Sequence, residues 1–126
     1  MGRVQIPVAR VTRSGIGGSA FVQGDDQNKM YFANNAGNTW LLAVNDDAAD
    51  AYVGAEFATP QLDTVPTPDR LATVPAGGSA WIGTFPRMWY NQDDNSVWIN
   101  PGTGPAHPSV PTWVNLWFKA FDFQDI

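Results

Sequence analysis

Residues 71–100 read LATVPAGGSAWIGTFPRMWYNQDDNSVWIN, and this stretch decides the fold class. It divides into three short strands joined by two turns. Leu71 to Val74 lead into Pro75-Ala76-Gly77-Gly78, the composition of a type II turn, in which glycine takes up the positive φ that a side chain resists. Gly77 and Gly78 are therefore expected to be structural. Residues 79–85 leave the turn. Beyond Pro86, residues 88–91 and 96–100 flank the polar Gln92-Asp93-Asp94-Asn95, the pattern of a β-hairpin.

The same pattern continues on both sides. Residues 4–12, VQIPVARVT, put Val4, Ile6, Val8 and Arg10 on one face. Pro7 withholds the N–H that a central strand donates, so residues 1–13 form either an edge strand of the domain's own sheet or an extended N-terminal arm. The glycines of residues 14–19 lack the Lys-Ser/Thr and the helix of a phosphate-binding loop, which leaves a linker. Residues 20–23 suit a short strand. Residues 29–34 and 39–45 read as a hairpin around Asn35-Ala36-Gly37-Asn38, with Gly37 in the left-handed position. Trp40-Leu41-Leu42-Ala43-Val44 reads as a central strand apolar on both faces, which places Trp40, like Trp81, in the core.

Residues 51–58 form another strand, and residues 59–69, with Pro60, Pro66 and Pro68, a rigid crossover between sheets. Residues 101–111 are too rich in Pro and Gly for a regular element. Residues 112–123 close the chain as a strand with Val114, Leu116, Phe118 and Ala120 on one face and Trp113, Trp117 and Phe121 mostly on the other. A closing strand apolar on both faces lies centrally or packs against another chain. The expected fold is all-β: a single antiparallel β-sandwich of about seven to nine strands spanning residues 1–126.

Composition agrees. Gly and Pro supply 22 of 126 residues and Trp, Phe and Tyr 16, whereas the whole chain has one Glu, two Lys and five Leu; such a chain favours pleated surfaces over helices. The net charge of −5 speaks against general binding to nucleic acid or anionic membrane. Arg3, Arg10 and Arg13 nevertheless place +3 in the first thirteen residues, either on a solvated edge or on an arm seeking an acidic neighbour. No apolar run approaches the roughly 18 residues of a membrane span, and no signal-peptide pattern opens the chain, so a soluble protein is expected.

Chemistry finds little to work with. There is no Cys, and His107, the single histidine, stands in the Pro-rich loop with no second histidine to form a relay or a metal cluster. Glu56 lacks a carboxylate at a spacing that suggests glycoside hydrolysis. The run Asn45-Asp46-Asp47-Ala48-Ala49-Asp50 lacks the Gly and the distal Glu of a calcium loop. No Gly-x-Ser-x-Gly elbow precedes a helix. The expectation is no catalytic residue, no metal, no cofactor and no enzyme. Trp89, Trp98, Trp113 and Trp117 lie where one face is free to bind, as a sugar-stacking platform or as hot spots of a protein interface.

The run from Val74 to Pro86, VPAGGSAWIGTFP, followed by Tyr90-Asn91, together with Asn38-Thr39-Trp40-Leu41 and Val44-Asn45-Asp46, resembles small proteins encoded among the head genes of tailed bacteriophages, the capsid decoration or cement proteins. The resemblance spans residues 30–100. It implies a β-sandwich on the exterior of the virion that binds the major capsid protein around local symmetry axes and reinforces the shell without chemistry; if the protein is a homo-oligomer, a trimer is preferred. From the clustered charge of the first thirteen residues and the two-faced closing strand, Arg3, Arg10, Arg13, Trp113 and Trp117 are the expected partner-binding residues. The alternatives are a carbohydrate-binding module with an exposed Trp platform and a phage tail or connector component.

Overall fold

The computed structural model describes residues 3–16, 21–24, 29–56, 70–102 and 116–123, with Gly15, Ile16 and Arg70 as backbone only. Trp113, His107, the crossover at residues 59–69 and most of the Pro-rich stretch lie outside the described residues. Those described form β1 (Val4–Gln5), β2 (Val8–Thr12), β3 (Gly15–Ile16), β4 (Val22–Gln23), β5 (Met30–Phe32), β6 (Thr39–Asn45), β7 (Ala51–Ala55), β8 (Arg70–Val74), β9 (Ser79–Ile82), one helical turn α1 (Arg87–Tyr90), β10 (Val97–Gly102) and β11 (Leu116–Asp122). Two sheets result. One has the order β1-β5-β10-β7-β8, and the other the order β3-β2-β11-β6-β9, with β4 also paired to β11.

Period-two alternation drives the two sheets together. Leu41 and Ala43 on β6 and Leu116, Phe118 and Ala120 on β11 turn inward, against Met30, Phe32, Val53, Val97 and Ile99 from the facing sheet. The fold is an all-β sandwich. Its strands outnumber the seven to nine expected, several being only two residues long. Two pairings, β1 with β5 and β2 with β11, are parallel within an otherwise antiparallel framework.

Both parallel pairings come from the N-terminal segment, which is shared between the sheets. β1 joins one sheet, β2 the other, and Pro7 stands between them. Ile6 is fully buried, its N–H donating to the Tyr31 carbonyl at 2.8 Å. Residues 3–13 thus belong to this domain's own sheets rather than to a free arm. β2 is not an edge, since β3 and β11 flank it.

Three local expectations change. Residues 88–91 are a helical turn and the following Asn91 rather than a strand: the Pro86 carbonyl accepts from the Trp89 and Tyr90 N–H groups, both at 3.1 Å, and proline is well suited to a helix start. The turn brings buried Tyr90 edge-on to Phe85 at 5.4 Å. The expected hairpin of residues 29–45 is instead a crossing, because β5 and β6 lie in different sheets. β10 runs into Pro101 and Gly102, which pair with Val53 and Tyr52 of β7, so the regular structure persists two residues further than the Pro-rich composition suggests.

The turn at residues 75–78 forms as expected and hands the chain from β8 in one sheet to β9 in the other. Gly78 N–H donates to the Pro75 carbonyl at 2.9 Å, and Gly77 has φ +65°. The Asp-rich connection of residues 46–50 docks on this turn: Asp47 O accepts from Gly77 N at 3.0 Å, and the Asp50 carboxylate from Ala76 N at 3.0 Å. Buried Asn45 ties both down, its carboxamide donating to the Ala49 and Val74 carbonyls. A Cβ on Gly77 would touch nothing within 4 Å, so the penalty of a side chain there is purely conformational. Gly77→Val is expected to cost about 1–3 kcal/mol, read as a lowered melting temperature. An unchanged melting temperature would contradict the positive φ.

Candidate interaction face

The residues of β6, β9 and β11 that do not enter the core share the outer face of the six-stranded sheet. From β6 these are Trp40, Leu42 and Val44, and from β11 Trp117, Lys119 and Phe121. Ladder register sets them side by side: Trp40 opposite Phe121, Leu42 opposite Lys119 and also opposite Trp81 of β9, and Val44 opposite Trp117. Ala9 and Val11 of β2 extend the patch and, with Leu42 and Phe123, cover Phe121 in a second small apolar cluster.

Trp81 is the main correction to the sequence reading. Expected in the core, it is 54% exposed, while its neighbour Ile82 is buried. The alternation along Ser79-Ala80-Trp81-Ile82 gives the core to Ala80 and Ile82, which leaves the indole outside, tilted on Phe121 at 5.4 Å between ring centroids. Trp40 is likewise half-buried on this face rather than in the core.

Two shallow apolar clefts open here. One of about 290 Å³ is lined by Trp40, Trp81 and Phe123, and one of about 200 Å³ by Phe21, Val44, Asp46 and Trp117. Between them stands Lys119, its ammonium 5.7 Å from the Phe21 ring and 5.4 Å from the Phe121 ring, both within cation–π range. Phe21 is itself 40% exposed. Exposed aromatic side chains gathered on one sheet face are the kind of surface that partner and ligand contacts use.

The floor of the first cleft depends on Gly83. A Cβ there would come within 3.0 Å of two carbons of the Trp40 indole and 3.1 Å of the Thr39 carbonyl. Gly83→Ala is therefore expected to displace the indole, shift the tryptophan emission and destabilise by about 1–3 kcal/mol, the usual cost of overpacking. Emission and melting both equal to wild type would show that the ring does not rest on this backbone.

The residues expected to bind a partner do not converge. Arg3 turns inward, donating to the Met30 carbonyl at 3.1 Å, Asn100 Oδ1 at 2.8 Å and Glu56 Oε1 at 3.1 Å, with its guanidinium 4.3 Å from the Trp98 ring centroid. Asn100 Nδ2 in turn donates to Glu56 Oε1 at 2.7 Å. Arg3 is thus a staple across β1, β5, β7 and β10 rather than a free contact. Arg10 lies 3.9 Å from Asp122, beside a polar groove of about 360 Å³ at the rim between the sheets. Arg13 is exposed in the turn between β2 and β3. Trp113 is outside the described residues, and Trp117 is the one member of the set placed on the aromatic face.

Titration is perturbed at Asp94, where hydrogen bonds from the Ser96 hydroxyl and N–H hold the carboxyl below its ordinary range and close the turn before β10. Among the described residues no group of three or more His, Asp or Glu is placed to hold a metal ion, and no helix is long and apolar enough to cross a membrane. Comparison with protein-family models, with curated proteins and with solved structures finds no match to this chain.

Proposed function

We propose that this protein is a non-enzymatic structural component of a tailed-phage virion, binding the outside of the capsid and reinforcing the lattice of the major capsid protein. The observation that carries the reading is the aromatic outer face of the six-stranded sheet, on a small acidic sandwich whose sequence at residues 74–86 resembles capsid decoration proteins. Trp81, Trp117 and Phe21 offer a rigid, largely apolar surface with little conformational entropy to lose on docking. A lattice presents many identical sites, so a modest interface per copy suffices, more so if the protein binds as a trimer around a local symmetry axis.

Pelleting with empty shells assembled from a tailed-phage major capsid protein tests the reading. Saturable co-sedimentation at a fixed ratio to that protein is expected, together with a higher shell melting temperature. Shells that pellet alone at every protein concentration overturn it.

A second reading rests on the cleft between Trp40, Trp81 and Phe123, which has the aromatic lining on which the apolar faces of sugar rings stack. Quenching or blue-shift of tryptophan emission by a soluble oligosaccharide, lost in Trp81→Ala, would favour a carbohydrate-binding module in its place.

A further inference from the structure

We infer that the outer face of the six-stranded sheet docks a protein surface that presents a carboxylate, framed by apolar side chains, opposite Lys119. The inference rests on the capsid-binding reading and names the face and the chemistry of the partner.

Lys119 carries the argument. It is one of only two lysines in a chain of net charge −5, and it stands midway along β11 in the centre of the aromatic face. Among the described residues it has no ion-pair partner; its ammonium rests against the rings of Phe21 and Phe121. While the face is wet, water solvates the charge. A partner that covers Trp81, Leu42 and Trp117 removes that water, and an ammonium so buried is heavily penalised unless an anion meets it. The two ring faces supply part of that compensation and hold the side chain in place, ready for a counter-charge.

The same geometry disfavours other occupants. A symmetric pair of these chains centred on this face would bring two Lys119 ammoniums together, a like-charge contact. The first cleft, lined by Trp40, Trp81 and Phe123, offers a sugar few of the convergent polar groups that fix a ring's orientation. An acidic residue within an apolar patch satisfies both the rings and the charge.

The experiment is co-sedimentation with the shells described above, using the full chain and three variants: Lys119→Glu, Lys119→Met and, as a control on the outer face of the other sheet, Leu71→Glu. Circular dichroism and melting establish that each is folded; Lys119 is half-exposed, and both of its substitutions keep an extended stem. Charge reversal is expected to weaken binding about thirtyfold or more, and Lys119→Met to fall between that and wild type, while Leu71→Glu binds like wild type. Lys119→Glu that binds like wild type overturns the face while leaving capsid decoration standing. Wild-type protein that fails to pellet overturns the decoration reading and this inference with it. Self-association of the wild type that is lost in Trp81→Ala, with shell binding retained, would give the face to a second copy and overturn the proposal.

Discussion

Deletion of residues 2–13 is expected to abolish the cooperative melting transition. The segment contributes β1 at one edge of the five-stranded sheet and β2 inside the six-stranded sheet, where it separates β3 from β11. Ile6 is fully buried, Val4 and Val8 pack on the main core, and Ala9 and Val11 are buried against Phe121. Losing one large buried aliphatic side chain costs about 2–5 kcal/mol, against a total stability of about 5–15 kcal/mol for a domain of this size. The deletion removes two such side chains, Ile6 and Val11, together with partly buried Val4 and Val8, two strands of ladder hydrogen bonds and the Arg3 staple onto Glu56 and Asn100. Near-ultraviolet circular dichroism and thermal melting of the truncated chain provide the check. A sharp transition near that of the full chain would return the segment to the role of a dispensable arm.

The sandwich was legible because its evidence is local. Strands, the inward residues of β11, and the Gly77 turn follow from alternation and from the one residue type that tolerates a positive φ. Which strands pair was not, since pairing depends on contacts distant in sequence. Residues 29–34 and 39–45 look like a hairpin around Gly37, yet the connection is used to cross between sheets. Nothing in the composition of Asn35-Ala36-Gly37-Asn38 distinguishes a chain that folds back from one that crosses over. Pro7 was a visible break; that it separates strands of two different sheets was not.

The candidate face was half legible. Trp117 and Phe121 follow from the alternation of the closing strand. Trp40 and Trp81 read as core in the sequence but lie on the outer face, because a large aromatic in an apolar run looks like a core residue and the run WLLAV hides its own period. The usable signal was the phase of Ser79-Ala80-Trp81-Ile82, in which placing Ile82 inward forces Trp81 outward. The arginines misled in a different way: sequence counts charges but does not reveal that Arg3 has Glu56, Asn100 and the Trp98 ring waiting within its own domain.

The crossing between β5 and β6 rests on Asn35, and replacing its carboxamide by a carboxylate is expected to be severe and pH-dependent. Asn35 is 3% exposed. Its Nδ2 donates to the Phe85 carbonyl at 2.7 Å and to Asn91 Oδ1 at 2.6 Å, and its Oδ1 accepts from Gly37 N at 3.1 Å. Asn91 returns a bond from its own Nδ2 to the Asn35 carbonyl at 3.0 Å. These bonds seat buried Phe85 beside Phe32 and Tyr90 and close that end of the sandwich. Asn35→Asp keeps the shape but turns two donors into an acceptor facing two acceptors. An uncompensated buried charge of this kind costs about 3–5 kcal/mol. Burial and the facing oxygens also raise the new carboxyl's pKa above its unfolded value. The ionised form is therefore the destabilised one: the deficit is fullest above the raised folded-state pKa and shrinks as pH falls, because the protonated acid regains one donor. Asn35→Ala, by contrast, removes the bonds to the Phe85 carbonyl, Asn91 Oδ1 and the Gly37 N–H alike at any pH, at about 1–3 kcal/mol in total or more, the cost of taking a partner from buried polar groups. Urea unfolding of wild type and both variants at pH 7 and pH 4 separates the cases. The Asn35→Asp deficit should narrow at the lower pH while the Asn35→Ala deficit stays constant. Equal deficits for Asn35→Asp at both pH values would mean that the two donors do not face the Phe85 and Asn91 oxygens in solution.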